Sequence, residues 1–484
     1  MDPRSTGLRH RVLAIFVGSA FVAAACGPST PAGSAGAPPS QVAEATPAGP
    51  PVEIRWYCCL GGGEAPEQKT VEDKVVADFN ASHPHIHLTF EVVTYEGNAA
   101  NNTLANELLN KNGPDIVGPV GIGGANAFDG QWLDLSAEIA RTNYDLSGFP
   151  ANVVDIYKLP SEGQVGIPFA VYPSVLFYRK SLFDEAKLAE PPHKYGDKYK
   201  MPDGTMVDWN YDTVRKLAKL LTVDKAGKDA TQAGFDLTKI AQWGFEPQRD
   251  DLRSTGSYFG AGQLAGGPNG KTVVIPDAWK AAWKAFYQGI HTDHTDLTES
   301  QFQSKDIVPN DYPFFGGNLA MSTNFLWSTY GLSDLADWDM AAVPAYNGTY
   351  TSSLNADTFR ILKSSAHPDE AFEVLQYLLG DAAADLLTAY GGFPARTSEQ
   401  AAGIAALQAQ FKNTIDWQVA VDSLQYPDNP NSESFMPAYN ETLGLVGSGG
   451  KYLTRWGKED GLDMDTEIES LRAEVQAIWD RATG

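Results

Sequence analysis

Between Val52 and Val117 strand-like and helix-like segments alternate, and this constrains the fold more than any other stretch of the chain. Val52-Glu53-Ile54-Arg55-Trp56-Tyr57-Cys58-Cys59 is β-prone and partly alternating, and Gly61-Gly62-Gly63 breaks it. Glu64 to Asn80 reads as a helix, because Val71, Val75, Val76 and Phe79 recur at helical spacing. Ser82-His83-Pro84 stops that helix, and Ile86 to Val93 is a second strand. A strand, a helix and a strand in this order predict a parallel pair joined by a right-handed crossover. A further helix is expected around Thr103 to Asn110, then a turn at Gly113-Pro114 and a short strand at Asp115-Ile116-Val117. Alternation of this kind belongs to the α/β class. Later helices are predicted over Tyr211 to Leu221, Asp277 to Ile290, Asp369 to Gly380 and Asp463 to Trp479, and no repeat of solenoid period occurs.

The first residues address the compartment. Arg4, Arg9 and Arg11 precede Val12 to Ala25, an uncharged apolar run too short for a comfortable membrane span. Residues 1–25 are therefore expected to be a signal peptide. The run ends in Ala23-Ala24-Ala25-Cys26-Gly27, which resembles the bacterial lipobox, although that pattern prefers Leu where Ala23 stands. Cys26 is expected to be lipidated and to become the new N-terminus. Residues 26–52 are almost wholly Gly, Pro, Ser, Thr and Ala, too poor in apolar surface to fold, and are expected to act as a semi-stiff tether. No later apolar run approaches membrane length, so the body is expected to be soluble.

The body is long enough for two domains. A formal charge of −24 argues against nucleic acid, whose phosphates require a basic footprint. Beyond Cys26 only the adjacent Cys58 and Cys59 remain, so they either close a vicinal disulfide or stay as two thiols. No GxSxG, HExxH or P-loop pattern occurs, and Gly61–Gly63 lacks the Lys-Ser/Thr that a phosphate loop needs. His83, His85 and His87 alternate on a predicted strand and so share one face, with no obvious fourth metal ligand, and a solvated strand end is the simpler reading. Pro191 to Asp208 and Asp224 to Asp236 are polar insertions. Asp224, Asp229 and Asp236 offer oxygen ligands, but not at EF-hand spacing. No cofactor or metal is expected.

Several blocks, in order, resemble the extracellular solute-binding proteins of family 1, the maltose-binding-protein-like receptors of ABC importers. They are IRWYCCLGGGEAPEQ with FNASHPHI, GPDIVGPVG, VGIPFAVYPSVLFYRKSLF, FFGGNLAMSTNFLW, NADTFRILKSSAHPDEAFEVLQYLL and GGFPARTS, spanning roughly Val52 to Ser398. The resemblance implies a two-lobed, periplasmic-binding-protein-like fold of type II. Its parallel-sheet lobes would be joined by three hinge crossings near Phe169, Ser352 and Phe393. Residues 53–168 with 353–392 would form the N-terminal lobe, and 169–352 with 393–484 the C-terminal lobe. FFGGNLAMSTNFLW would supply a helix over Gly316 to Met321 and then an aromatic site loop.

Carried over position by position, the resemblance places Trp327 as the ring that stacks on ligand, with Asn324 beside it. Tyr172 lies on the first hinge segment, and Tyr57 and Cys58 end the first strand. Gly121 follows Asp115, Tyr258 lies on a second-lobe loop, Asn355 and Asp357 fall at the return crossing, and Arg396 follows the last crossing. The implied function is a monomeric, non-enzymatic receptor that binds a mono- or oligosaccharide and delivers it to ABC permease subunits. Aromatic residues at 11% of the chain, with 11 Trp, suit sugar, whose rings have an apolar face and a polar rim. The alternatives are a polyol, glycerophosphodiester, peptide or polyamine on the same fold, or an extracellular carbohydrate-active enzyme with two carboxylates across a cleft.

Overall fold

The computed structural model describes residues 49–58, 60, 63–94, 99–159, 161–266, 270–308 and 312–483. The signal segment 1–25, Cys26 and tether residues 26–48 lie outside that set. The first described elements are β1 (Val52–Cys58), α1 (Pro66–Ser82), β2 (Ile86–Val92), α2 (Ala99–Leu109) and β3 (Ile116–Gly121). β1 pairs in parallel with β2 and with β3, as the strand-helix-strand pattern requires. On β1, Ile54 and Trp56 turn into the main core while Tyr57 faces a second cluster with Leu104 and Trp132, the two-sided burial of a central parallel strand.

Next come β4 (Ala170–Arg179), α3 (Tyr211–Leu221), β5 (Val223–Asp224), β6 (Ile240–Pro247), α4 (Asp277–His291), β7 (Leu319–Phe325) and β8 (Trp338–Ala341). They are followed by β9 (Leu354–Ile361), α5 (Pro368–Leu378), α6 (Ala383–Tyr390), β10 (Phe393–Pro394) and, closing the chain, α7 (Met464–Thr483). The strands form one mixed sheet in the order β2–β1–β3–β9–β4–β7–β6–β5, with β8 and β10 also pairing with β4.

β4 organises the molecule. Every residue from Ala170 to Arg179 is buried, which accounts for a run that is apolar or aromatic except at Ser174 and Arg179. Its first residues pair with β9 and β10, through Tyr172↔Asn355, Ala170↔Asp357 and Val171↔Phe393. Its later residues pair with β7 and β8, through Ser174↔Phe325 and Phe177↔Met340. One strand therefore belongs to both halves of the sheet. Where β9 begins, the buried Asp428 carboxylate accepts from Leu354 N at 2.8 Å, Ser432 N at 2.9 Å and Asn431 Nδ2 at 3.1 Å. A separate core under the C-terminal helices gathers Trp279, Trp283, Trp456 and Trp479.

Two local expectations are corrected. Gly316 to Met321 is not a helix: a 3₁₀ turn, Pro313–Gly316, stops at Gly317, whose φ of 83° suits glycine, and β7 then starts at Leu319. The run Leu319–Phe325 is wedged between β4 and β6 and buried throughout, so sheet pairing overrides any helical tendency. Nor do the three histidines share one strand face. His83 caps α1 and stacks on Phe79 at 4.2 Å, His85 meets Glu373 at 3.0 Å, and His87 meets Glu53 at 2.7 Å. In the second insertion, Asp224 accepts from the backbone N–H of Ala226, Lys228 and Asp236, so its carboxylate holds the loop's own backbone.

Candidate functional site

The register of the sheet builds the floor of a cavity of about 500 Å³. Asn355 and Asp357 are two residues apart on β9 and so project from one face. Tyr172 stands directly opposite Asn355 and shares that face. Gly121, at the end of β3, stands opposite Asp357, and its lack of a side chain leaves room: a Cβ there would lie 3.2 Å from Asp357 Oδ1. Ala356, between the two polar residues, turns the other way into the core.

Trp327 forms one wall. The chain leaves β7 at Phe325 and enters a 3₁₀ turn, Leu326–Leu332, which holds the indole half-buried. Its Nε1 donates to Asn355 Oδ1 at 3.3 Å, and its ring lies nearly parallel to Phe325, with centroids 6.2 Å apart. Tyr330, 61% exposed on the same turn, and Phe411 add further aromatic surface. Thus Gly121, Tyr172, Trp327, Asn355 and Asp357 line one cavity.

The other expected positions lie elsewhere. Tyr57 is buried and donates its hydroxyl to Ala100 O at 2.7 Å. Cys58 is buried at the end of β1 and disulfide-bonded, and its neighbour Leu60 reaches the cavity in its place. Asn324 is a buried residue of β7 whose Oδ1 accepts from Phe325 N. Tyr258 lines a different cavity of about 280 Å³ with Tyr211 and Phe259, and its buried hydroxyl has no hydrogen-bond partner among the described residues. Arg396 donates to Tyr144 Oη at 2.9 Å and lies over Phe149 at 4.4 Å.

Three cavity residues carry chemistry that the sequence reading missed. Glu433 approaches from the C-terminal segment and accepts from Gly123 N at 3.2 Å, while its backbone carbonyl accepts from Asn126 Nδ2. Its only sequence signal is an acid within the Asn-, Pro- and Ser-rich stretch PDNPNSES, beyond the blocks that carry the resemblance. Gln68 reaches in from α1, its Oε1 accepting from Gly63 N and Ala65 N. Tyr390 ends α6 and donates to Glu72 at 2.6 Å.

The electrostatics are acidic. Burial, and then the charge of Glu433, push Asp357 up to about 7. Burial also raises Glu433, with Asp251 adding to the shift; Arg253, Gly123 N–H and the Asn355 amide oppose it. Behind the wall, burial pushes Glu72 up to about 7 although the Tyr390 hydroxyl favours its charged form. The arrangement offers aromatic faces beside hydrogen-bonding side chains, the composition of a site for a small polar solute.

The description "bacterial extracellular solute-binding protein" fits the family model that matches residues 62–385, more than half of the chain. No curated protein sequence matches. Among solved structures, UspC of M. tuberculosis superposes with a TM-score of 0.66 at 18% identity, covering 89% of this chain and 100% of its own. The sugar-binding protein MalE of Xanthomonas citri gives 0.65 at 16%, covering 89% and 98%. An ABC substrate-binding protein of Listeria monocytogenes, Lmo0181 in complex with cycloalternan, gives 0.61 at 16%, covering 88% and 98%. At such identities these likenesses carry the fold, a two-lobed solute-binding architecture. Together with the length of the family match, they make this chain a member of the bacterial extracellular solute-binding proteins, the receptors that serve ABC transporters.

Proposed function

We propose that the protein captures a carbohydrate, a mono- or oligosaccharide, in the 500 Å³ cavity and delivers it to an ABC permease. The observation that carries this reading is the placement of Trp327, Tyr330 and Phe411 beside Asn355, Asp357 and Gln68. Aromatic rings cover the apolar face of a sugar, and amide and carboxylate groups bond its hydroxyls. The cavity joins residues 53–168 and 353–392, taken as one lobe, to residues 169–352 and 393–484, taken as the other, so closure about β4 would bury the ligand. A lipid on Cys26 would hold the receptor at the membrane, with residues 26–52 as its tether.

A thermal-shift screen across mono- and oligosaccharides, followed by calorimetry, tests the reading: one sugar class should raise the melting temperature, above its dissociation constant, with the logarithm of its concentration. The two carboxylates of one cavity, Asp357 and Glu433, are also what a carbohydrate-active enzyme would need. A receptor returns the oligosaccharide intact after prolonged incubation, and shortened products would establish the enzyme.

A further inference from the structure

If this cavity is the ligand site, its charge narrows the ligand class, and we propose that the captured solute carries a protonated amine seated against the carboxylates of Asp357 and Glu433. Among the described residues that line the cavity these two are the charged side chains, and no Lys, Arg or His lines it. None of the undescribed positions after residue 48 is Lys, Arg or His either. The cation that offsets Glu433 is Arg253, but it is shared with Asp251 and leaves Asp357 unpaired. Its guanidinium is buried, forked onto Asp251 with Nη2 at 2.7 Å and Nε at 3.0 Å, and lies over the ring of Tyr439 at 5.5 Å.

Both carboxylates are open toward the cavity because glycines face them. At Gly121 a Cβ would stand 3.2 Å from Asp357 Oδ1, and at Gly123 one would stand 3.1 Å from Glu433 Oε1. No described donor reaches the Asp357 carboxylate, whereas most acids buried in this protein are paired, as Asp293 is with Arg215 and Lys219. Two neighbouring acids with one unpaired carboxylate strain a closed, desolvated site. A neutral hydroxyl leaves that charge uncompensated, and so does a bound proton on only one of them. An ammonium compensates both by charge-assisted hydrogen bonds, and the faces of Trp327 and Tyr330 add cation–π attraction. Burial, and then the charge of Glu433, raise the affinity of Asp357 for a proton, and a bound cation would displace that proton.

Calorimetry on the full protein just below pH 7, with paired probes, tests this. Each pair is an amino sugar and its neutral counterpart, such as glucosamine with glucose, galactosamine with galactose, and the glucosamine disaccharide with cellobiose. The amino member should bind about ten- to a hundredfold more tightly. Its heat should differ between phosphate and Tris buffers, because Asp357 releases its proton on binding. Asp357→Asn and Glu433→Gln should each shrink the gap between paired probes while the melting temperature of the free protein shows that the variant is folded. Equal or tighter binding of the neutral member overturns the amine seat and leaves the carbohydrate reading standing. Binding of spermidine in an Asp357-dependent way, with no saccharide bound, supports the amine seat and overturns the carbohydrate reading. Absence of binding by every probe overturns both.

Discussion

Removing the indole of Trp327 separates a binding role from a packing role. In the free protein the ring is half-buried, lies parallel to Phe325 and meets Tyr312 edge-on with centroids 5.9 Å apart. Trp327→Ala should therefore cost the free protein only about 1–2 kcal/mol, the worth of aromatic pairing plus a fraction of the burial of one ring. The exposed part of the indole is what a sugar ring would cover. Covering it gains about 1.5–3 kcal/mol, so the variant's dissociation constant should rise roughly ten- to a hundredfold. Trp327→Phe keeps an apolar face but removes the 3.3 Å bond from Nε1 to Asn355 Oδ1, so it should fall between wild type and Trp327→Ala. Calorimetric titration with the best saccharide of the screen, beside a melt of each free variant, reads both effects. Unchanged affinity in Trp327→Ala would refute the stacking argument. A loss of stability several times larger than estimated would assign the ring to the core.

Stability should also depend on pH. Asp357, Glu72 and Asp428 are pushed up to about 7, and Asp129 and Asp250 to about 6, all mainly by burial. The folded state therefore binds more protons than the unfolded one between about pH 4 and pH 7. The unliganded protein should lose stability as pH rises through that window and level off above it, and Asp357→Asn should flatten part of the slope; a melting temperature that climbs from pH 4 to pH 7 would contradict this. Asp428→Ala should destabilise by about 3 kcal/mol or more by denaturant titration, because Leu354 N and Ser432 N lose their buried acceptor. Cys26→Ser should shift the protein from membrane to soluble fractions on cell fractionation, and equal membrane retention would remove the lipid anchor.

The parts of the fold that were legible in the sequence are those governed by local periodicity. Tyr211–Leu221 fell where its apolar spacing puts it, with Asn210 Oδ1 accepting from Thr213 N at its start, and β1, α1 and β2 fell where alternation and breakers put them. β7 was misread because a fully buried strand carries no period-2 signature and only its neighbours β4 and β6 define it. The same holds in the cavity. Asn355, Asp357, Tyr172 and Gly121 come together through strand register, so a resemblance that aligns strands brings them along. Glu433 arrives on an irregular segment whose place is set by a hydrogen bond to Gly123 and by Asp428, contacts without a sequence period. Arg396, placed at the site by its position after the last crossing, is turned aside by Tyr144, Glu399 and Phe149.

The sharing of β4 between both halves of the sheet has a consequence for the order in which the chain can become structured. β3 obtains its partner on that side only from β9, which is made after β4, β6 and β7. Until Leu354–Ile361 has been synthesised, β1, β2 and β3 form an open three-stranded fragment with an unpaired edge, and β4 lacks the strand that joins it to them. The nascent chain is thus denied a finished N-terminal unit through most of its synthesis. For an exported protein that delay is useful: a polypeptide threading a narrow secretion channel must stay unfolded, and here the strand that locks the structure is delivered late.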